Sequence, residues 1–139
     1  MRRSAVTLGL LASMACFKEP SHPHTGFDQQ VSLTIGMQGA SIRIVIVPSI
    51  DGGAAVLNRV DSDRDGTISR AEAASFANDV IAQASLNVGL QEVAIRLVSV
   101  SAMTTGELVS ASAAITIDAA SEFSLDNRNP ISVGFSIGF

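Results

Sequence analysis

The sequence predicts an α+β domain in which a helix–loop–helix packs on a mostly antiparallel β-sheet. Three observations carry this expectation. Apolar and polar residues alternate before residue 48 and again after residue 92, a three- and four-residue apolar period fills the middle of the chain, and the middle segment has no second copy.

The first 15 residues read as an export signal and are set apart from the fold. Arg2 and Arg3 form a positive start, Ala5 to Ala12 a short apolar stretch, and Ser13-Met14-Ala15 a small-x-small cleavage pattern. Cys16, the only cysteine, follows directly, so no internal disulfide can form. The run Ala12-Ser13-Met14-Ala15-Cys16 resembles a bacterial lipobox, in which Cys16 becomes the lipid-bearing first residue, although Ser13 stands where leucine is usual. Ordinary signal cleavage leaving a free thiol is the competing reading. The resemblance implies a periplasmic or outer-membrane-anchored lipoprotein.

Residues 16–26, with Pro20, Pro23, Ser21, Thr25 and Gly26, have the composition of a flexible tether. The single folded domain is expected over 27–139. Val31, Leu33 and Ile35 alternate with polar residues, as do Ile42, Ile44 and Ile46 beyond a Gly36–Gly39 turn region, which predicts a β-hairpin closed by Pro48. Asp51 is positioned to cap a short helix carrying Val56, Leu57 and Val60. After an acidic stretch, Ala73, Phe76, Ala77, Val80, Ile81 and Ala84 follow a helical stripe, and that helix is expected to end near Gly89. Val93, Ile95 and Leu97 then read as a strand, as do Ile115 and Ile117, and the alternation from Ile131 to Phe139 reads as a last half-buried strand with its isoleucines and phenylalanines inward. A membrane barrel would need aromatic girdles at that strand, and the chain has neither Trp nor Tyr.

Of 139 residues, 47% are hydrophobic and 16% charged, enough for one core and against disorder. Formal net charge is −4 and becomes −6 without Arg2 and Arg3, with the remaining cations scattered singly. No basic strip is present to track a phosphate backbone, so nucleic acid is not an expected partner. The folded region contains no histidine, no nucleophile elbow and no glycine-rich phosphate loop, so no enzymatic activity is expected.

The chemistry concentrates in Asp61-Ser62-Asp63-Arg64-Asp65-Gly66-Thr67-Ile68-Ser69-Arg70-Ala71-Glu72. Ca²⁺ takes oxygen ligands, and a chain coiling around one ion can supply them from alternate positions: Asp61, Asp63 and Asp65, the Thr67 carbonyl, Ser69 directly or through water, and both oxygens of Glu72. Gly66 falls where the loop must turn in a conformation that a β-carbon penalises. Ser69 and Glu72 also spell a capping box, a reading in which the loop only starts a helix. Three alternate aspartates exceed what a cap needs.

These residues resemble an EF-hand, and the likeness covers the loop and its flanking helices, about residues 52–86. It implies one Ca²⁺ ion with a mainly structural role. In paired EF-hands the eighth loop residue meets a twin loop; here Ile68 has no twin and must enter the core or meet another chain, so a homodimer through the loop is one expectation. A looser resemblance, of His22-Pro23-His24 followed by strands, an acidic loop and more strands, is to periplasmic domains of nickel or cobalt transport proteins, and implies an accessory transport role as the alternative.

Overall fold

A computed structural model describes residues 26–101, 103–125 and 132–138. The expected export signal, Cys16, the tether up to Thr25 with His22 and His24, and the strand positions Ile131 and Phe139 lie outside these residues. The fold class is α+β, and every strand pairing is antiparallel.

The hairpin forms as expected. Strand β1 (Phe27–Gly36) runs in unbroken register against β2 (Gly39–Pro48), from Phe27 opposite Pro48 to Gly36 opposite Gly39. In β2 the isoleucines face inward and Ser41 and Arg43 face water, because side chains alternate across a strand.

Helix α1 spans Gly53–Val60. Its start differs from expectation, since Gly52 is the N-cap and no side chain caps it. Asp51 is not used. The turn leading into the helix is held by Ser49, whose carbonyl accepts from the Gly52 and Gly53 amides at 3.0 and 2.9 Å and whose hydroxyl accepts from the Gly52 amide at 3.0 Å. Helix α2 covers Arg70–Ile81 and stops well short of Gly89. Ala84, expected in the helix, instead opens strand β3 (Ala84–Val88), which is paired on both sides and so draws those residues into a sheet.

The expected strand around Val93 to Leu97 is two strands. Strand β4 (Gln91–Val93) pairs with β3, while β5 (Arg96–Val100) belongs to the other sheet. At this crossing the buried Ser121 hydroxyl donates to the Ala94 carbonyl at 2.7 Å, tying the connection to the larger sheet. A short helix α3 (Thr105–Val109), unanticipated, precedes β6 (Ile115–Glu122), and β7 (Val133–Ile137) completes the described strands. A four-stranded sheet thus has the order β1-β2-β6-β5 and a three-stranded sheet β4-β3-β7, where one sheet was expected.

The core lies between the inner face of the larger sheet and the helices. Ile42, Ile44, Ile46, Ile115 and Ile117 meet Val56 and Val60 of α1, Phe76, Ala77 and Val80 of α2, and Leu108 of α3 in one cluster. Ile46, Ile117, Val80 and Leu108 are fully buried, and each such side chain contributes about 1.5–3 kcal/mol through removal from water. Phe135 and Ile137 of β7 pack half-buried against the same cluster, in the inward phase expected of them. Both ends of the acidic stretch are therefore clamped, by Val60 before it and Ala73 and Phe76 after it.

Candidate metal centre

Residues 61–69 connect α1 to α2, and the loop is built from its own carboxylates. Helix α1 ends when the Asp61 amide donates to the Leu57 carbonyl at 2.8 Å, which leaves the Asp61 side chain at the base of the loop, 5% exposed. From there a chain of side-chain-to-backbone bonds bends the segment. Gly66 donates to Asp61 Oδ2 at 3.1 Å, Asp65 to Asp63 Oδ1 at 3.0 Å, and Thr67 to Asp65 Oδ1 at 2.7 Å. Aspartates do this readily because their short side chains reach backbone N–H groups two residues on.

Within the loop, two residues take left-handed backbone angles. Gly66, with φ +84°, matches the expected sharp turn. Arg64, with φ +61°, carries a β-carbon in the same region, and no sequence signal marked it.

The bending brings Asp61, Asp63 and Asp65 together, with one oxygen from each lying within 4.8 Å of the others. Oxygens bound to one Ca²⁺ at about 2.4 Å can be separated by no more than about 4.8 Å, so the spacing suits a single ion. Asp61 Oδ1 is buried and has no hydrogen-bond partner. A buried carboxylate oxygen without a partner forfeits its hydration, and a cation among the three carboxylates would restore that interaction. The acidic triad can therefore hold a metal ion.

Comparison with protein-family models, with curated proteins and with solved structures finds no match to the chain.

Glu72 stands apart from the three converging carboxylates. Its Oε1 accepts from the Ser62 amide at 2.8 Å, the Ser62 hydroxyl at 3.1 Å and the Asp63 amide at 3.3 Å, while Oε2 accepts from the Ser69 amide at 2.9 Å. The Ser69 hydroxyl in turn accepts from the Glu72 amide at 3.2 Å, so the capping box readable in the sequence is formed and starts α2. These bonds hold the Glu72 carboxyl down at about 2, the Ser69 amide and hydroxyl first among the causes. Glu72 thereby ties the first turn of the loop to its exit.

Ile68 turns into the protein. It is half-buried against the core and lines a small apolar gap with Val60, Phe76, Val100, Met103 and Ile115.

Proposed function

We propose that the chain binds one Ca²⁺ ion in the loop 61–72 and that the ion serves to brace the junction of α1 and α2. The carrying observation is the buried Asp61 carboxylate, whose Oδ1 has no hydrogen-bond partner, in a side chain that brings one oxygen within 4.8 Å of oxygens of Asp63 and Asp65. The remaining ligands of this reading are the Thr67 carbonyl, Ser69 and Glu72, as in the EF-hand that the loop resembles. A donor set made wholly of oxygens favours a hard cation over Ni²⁺ or Co²⁺, which prefer imidazole or thiolate. The role we assign is binding without catalysis.

In this reading the protein is exported and carries a lipid on Cys16, which places the loop where calcium is plentiful and where sites with Kd of about 10⁻⁴ to 10⁻³ M suffice. At a tenfold excess over Kd the ion would stabilise the fold by about 1.4 kcal/mol.

The test is calorimetric titration of the purified protein with Ca²⁺, Mg²⁺ and Ni²⁺, beside Asp61→Asn and Asp63→Asn. These substitutions keep a hydrogen-bond acceptor and leave the Ser69–Glu72 cap intact. One saturable Ca²⁺ site, lost in both variants, supports the proposal. Absence of Ca²⁺ heat together with an unchanged melting temperature in millimolar Ca²⁺ would sink it, and the loop would then be a helix cap alone.

A further inference from the structure

We propose that β1 is a self-association edge, along which two copies of this chain pair antiparallel, β1 to β1, and merge their four-stranded sheets. The inference rests on how differently the fold treats its sheet edges. Open edges present unpaired N–H and C=O groups to other strands, and proteins protect them by shortness, bulges, proline or charge. Here β4 is 3 residues long and β7 is 5, and β5 carries Arg96 and a register shift between Leu97 and Ser99. Strand β1 is neither short nor bulged and is nearly free of charge. It runs 10 residues in continuous register, contains no Pro, Lys or Arg, and has Asp28 as its only charged residue. Among the described residues no strand lies on its other side.

The hairpin shows which groups face that side. Gly36 and Gly39 are paired across the turn at Met37 and Gln38, and such a pair exchanges both of its backbone hydrogen bonds. Thr34, Ser32 and Gln30, in phase with Gly36, therefore direct their backbone groups at β2. Ile35, Leu33, Val31 and Gln29 direct theirs at the open edge. Their side chains point to the core face, and Val31 among them is left 37% exposed where that apolar face runs out.

A second copy fits this edge. With Val31 opposite Val31 of the second copy, the two exposed side chains cover each other on the symmetry axis and core faces stay aligned. Gln29 then meets Leu33, Gln30 meets Ser32, and Asp28 meets Thr34, so the strand's one charge faces a hydroxyl instead of another carboxylate. The arrangement is isologous and closed, as dimers of this kind are.

Sedimentation equilibrium of the full chain in its processed form tests the proposal, beside Val31→Lys, which points a charge inward at the edge, and Val31→Pro, which removes an outward N–H without touching the β1–β2 ladder. The expected result is a dimer for the unaltered chain and monomers for both variants, with far-UV circular dichroism unchanged. In a Cys16→Ser background, Val31→Cys should form an intermolecular disulfide on oxidation while Leu33→Cys does not. A monomer up to millimolar concentration, or a dimer that both Val31 variants retain, overturns the inference. If neither variant folds, the cross-link decides, and its absence overturns the inference equally.

Discussion

The Gly66 amide donates to Asp61 Oδ2 at 3.1 Å, so the buried carboxylate at the base of the loop and the glycine at its turn hold each other in place. The bond occupies one Asp61 oxygen and leaves the other, Oδ1, buried without a hydrogen-bond partner, in a side chain that converges with Asp63 and Asp65. Asp61→Asn should therefore act in opposite directions with and without the ion. Without metal it relieves repulsion among three converging carboxylates, and the melting temperature should stay level or rise. In millimolar Ca²⁺ the variant should lack the upward shift shown by the unaltered protein. Melting curves with Ca²⁺ and with chelator measure both arms, and equal shifts in the two proteins would refute the assignment of Asp61.

Gly66→Ala isolates the turn itself. A β-carbon at Gly66 would meet no atom within 4 Å, so its whole cost is the left-handed backbone, at φ +84°. The expected loss is about 1 kcal/mol in chelator, and more in Ca²⁺ because the Asp61 bond and the ion site share the turn. Chemical denaturation in the two conditions provides the comparison.

Gly52 and Gly106 should respond to alanine with opposite signs. A β-carbon on Gly52 would lie 1.8 Å from the Gly26 carbonyl oxygen, where β1 begins beside the start of α1, and backbone there cannot yield cheaply. Gly52→Ala should cost about 3 kcal/mol, at the upper end of overpacking effects. Gly106 sits in the first turn of α3 with nothing within 4 Å, so Gly106→Ala should stabilise by about 0.5–1 kcal/mol through the unfolded chain. Urea midpoints of the two variants settle both signs.

Acid stability should depend, beside Glu72 in the loop, on two surface carboxylates outside it. The Thr104 amide and then its hydroxyl hold the Glu107 carboxyl below its ordinary range, and the Arg43 guanidinium, 2.7 Å away, does the same first and foremost for Asp118, helped by Ser99. A carboxyl whose pKa is lower in the folded state stabilises fully above its unfolded value, near 4. That contribution is lost as pH falls through the lowered folded value. Both groups are solvent-facing, so the effect is small for each. Glu107→Gln and Asp118→Asn should flatten the fall in stability below about pH 4 and leave its shape near neutrality unchanged.

The hairpin and the loop were legible because their signals are local. Alternating isoleucines fix which face of β2 is buried, and three aspartates and a glycine at set positions leave little freedom to the loop. The crossing between sheets was not legible, because Val93, Ile95 and Leu97 alternate without interruption while the chain changes sheets between Val93 and Arg96. Nothing in the sequence between Ile81 and Gly89 stops a helix. Pairing of β3 on both its edges, a tertiary effect, ends α2 there. Helix α3 was missed although Thr104 and Glu107 spell the same capping box as Ser69 and Glu72, since five residues are too few to show a helical period. In the loop the sequence pointed to Glu72 both as a ligand and as half of a capping box with Ser69, and its engagement by the Ser62 and Asp63 amides is a role that neither spacing reveals.

Ile68 bears on how a solitary loop of this kind is completed. Its side chain packs against the core and lines a small gap with Val100, Met103 and Ile115 of the same chain. Shortening it removes buried methylene groups and enlarges an existing gap, and Ile68→Ala should cost about 2 kcal/mol in chelator. The loss should persist in Ca²⁺, because the side chain points away from the carboxylates. Oligomeric state should not change with it, since association assigned to β1 leaves this side of the loop internal. Sedimentation and denaturation of Ile68→Ala together check the point: a dimer that falls apart in this variant while the fold survives would move the interface from β1 back to the loop.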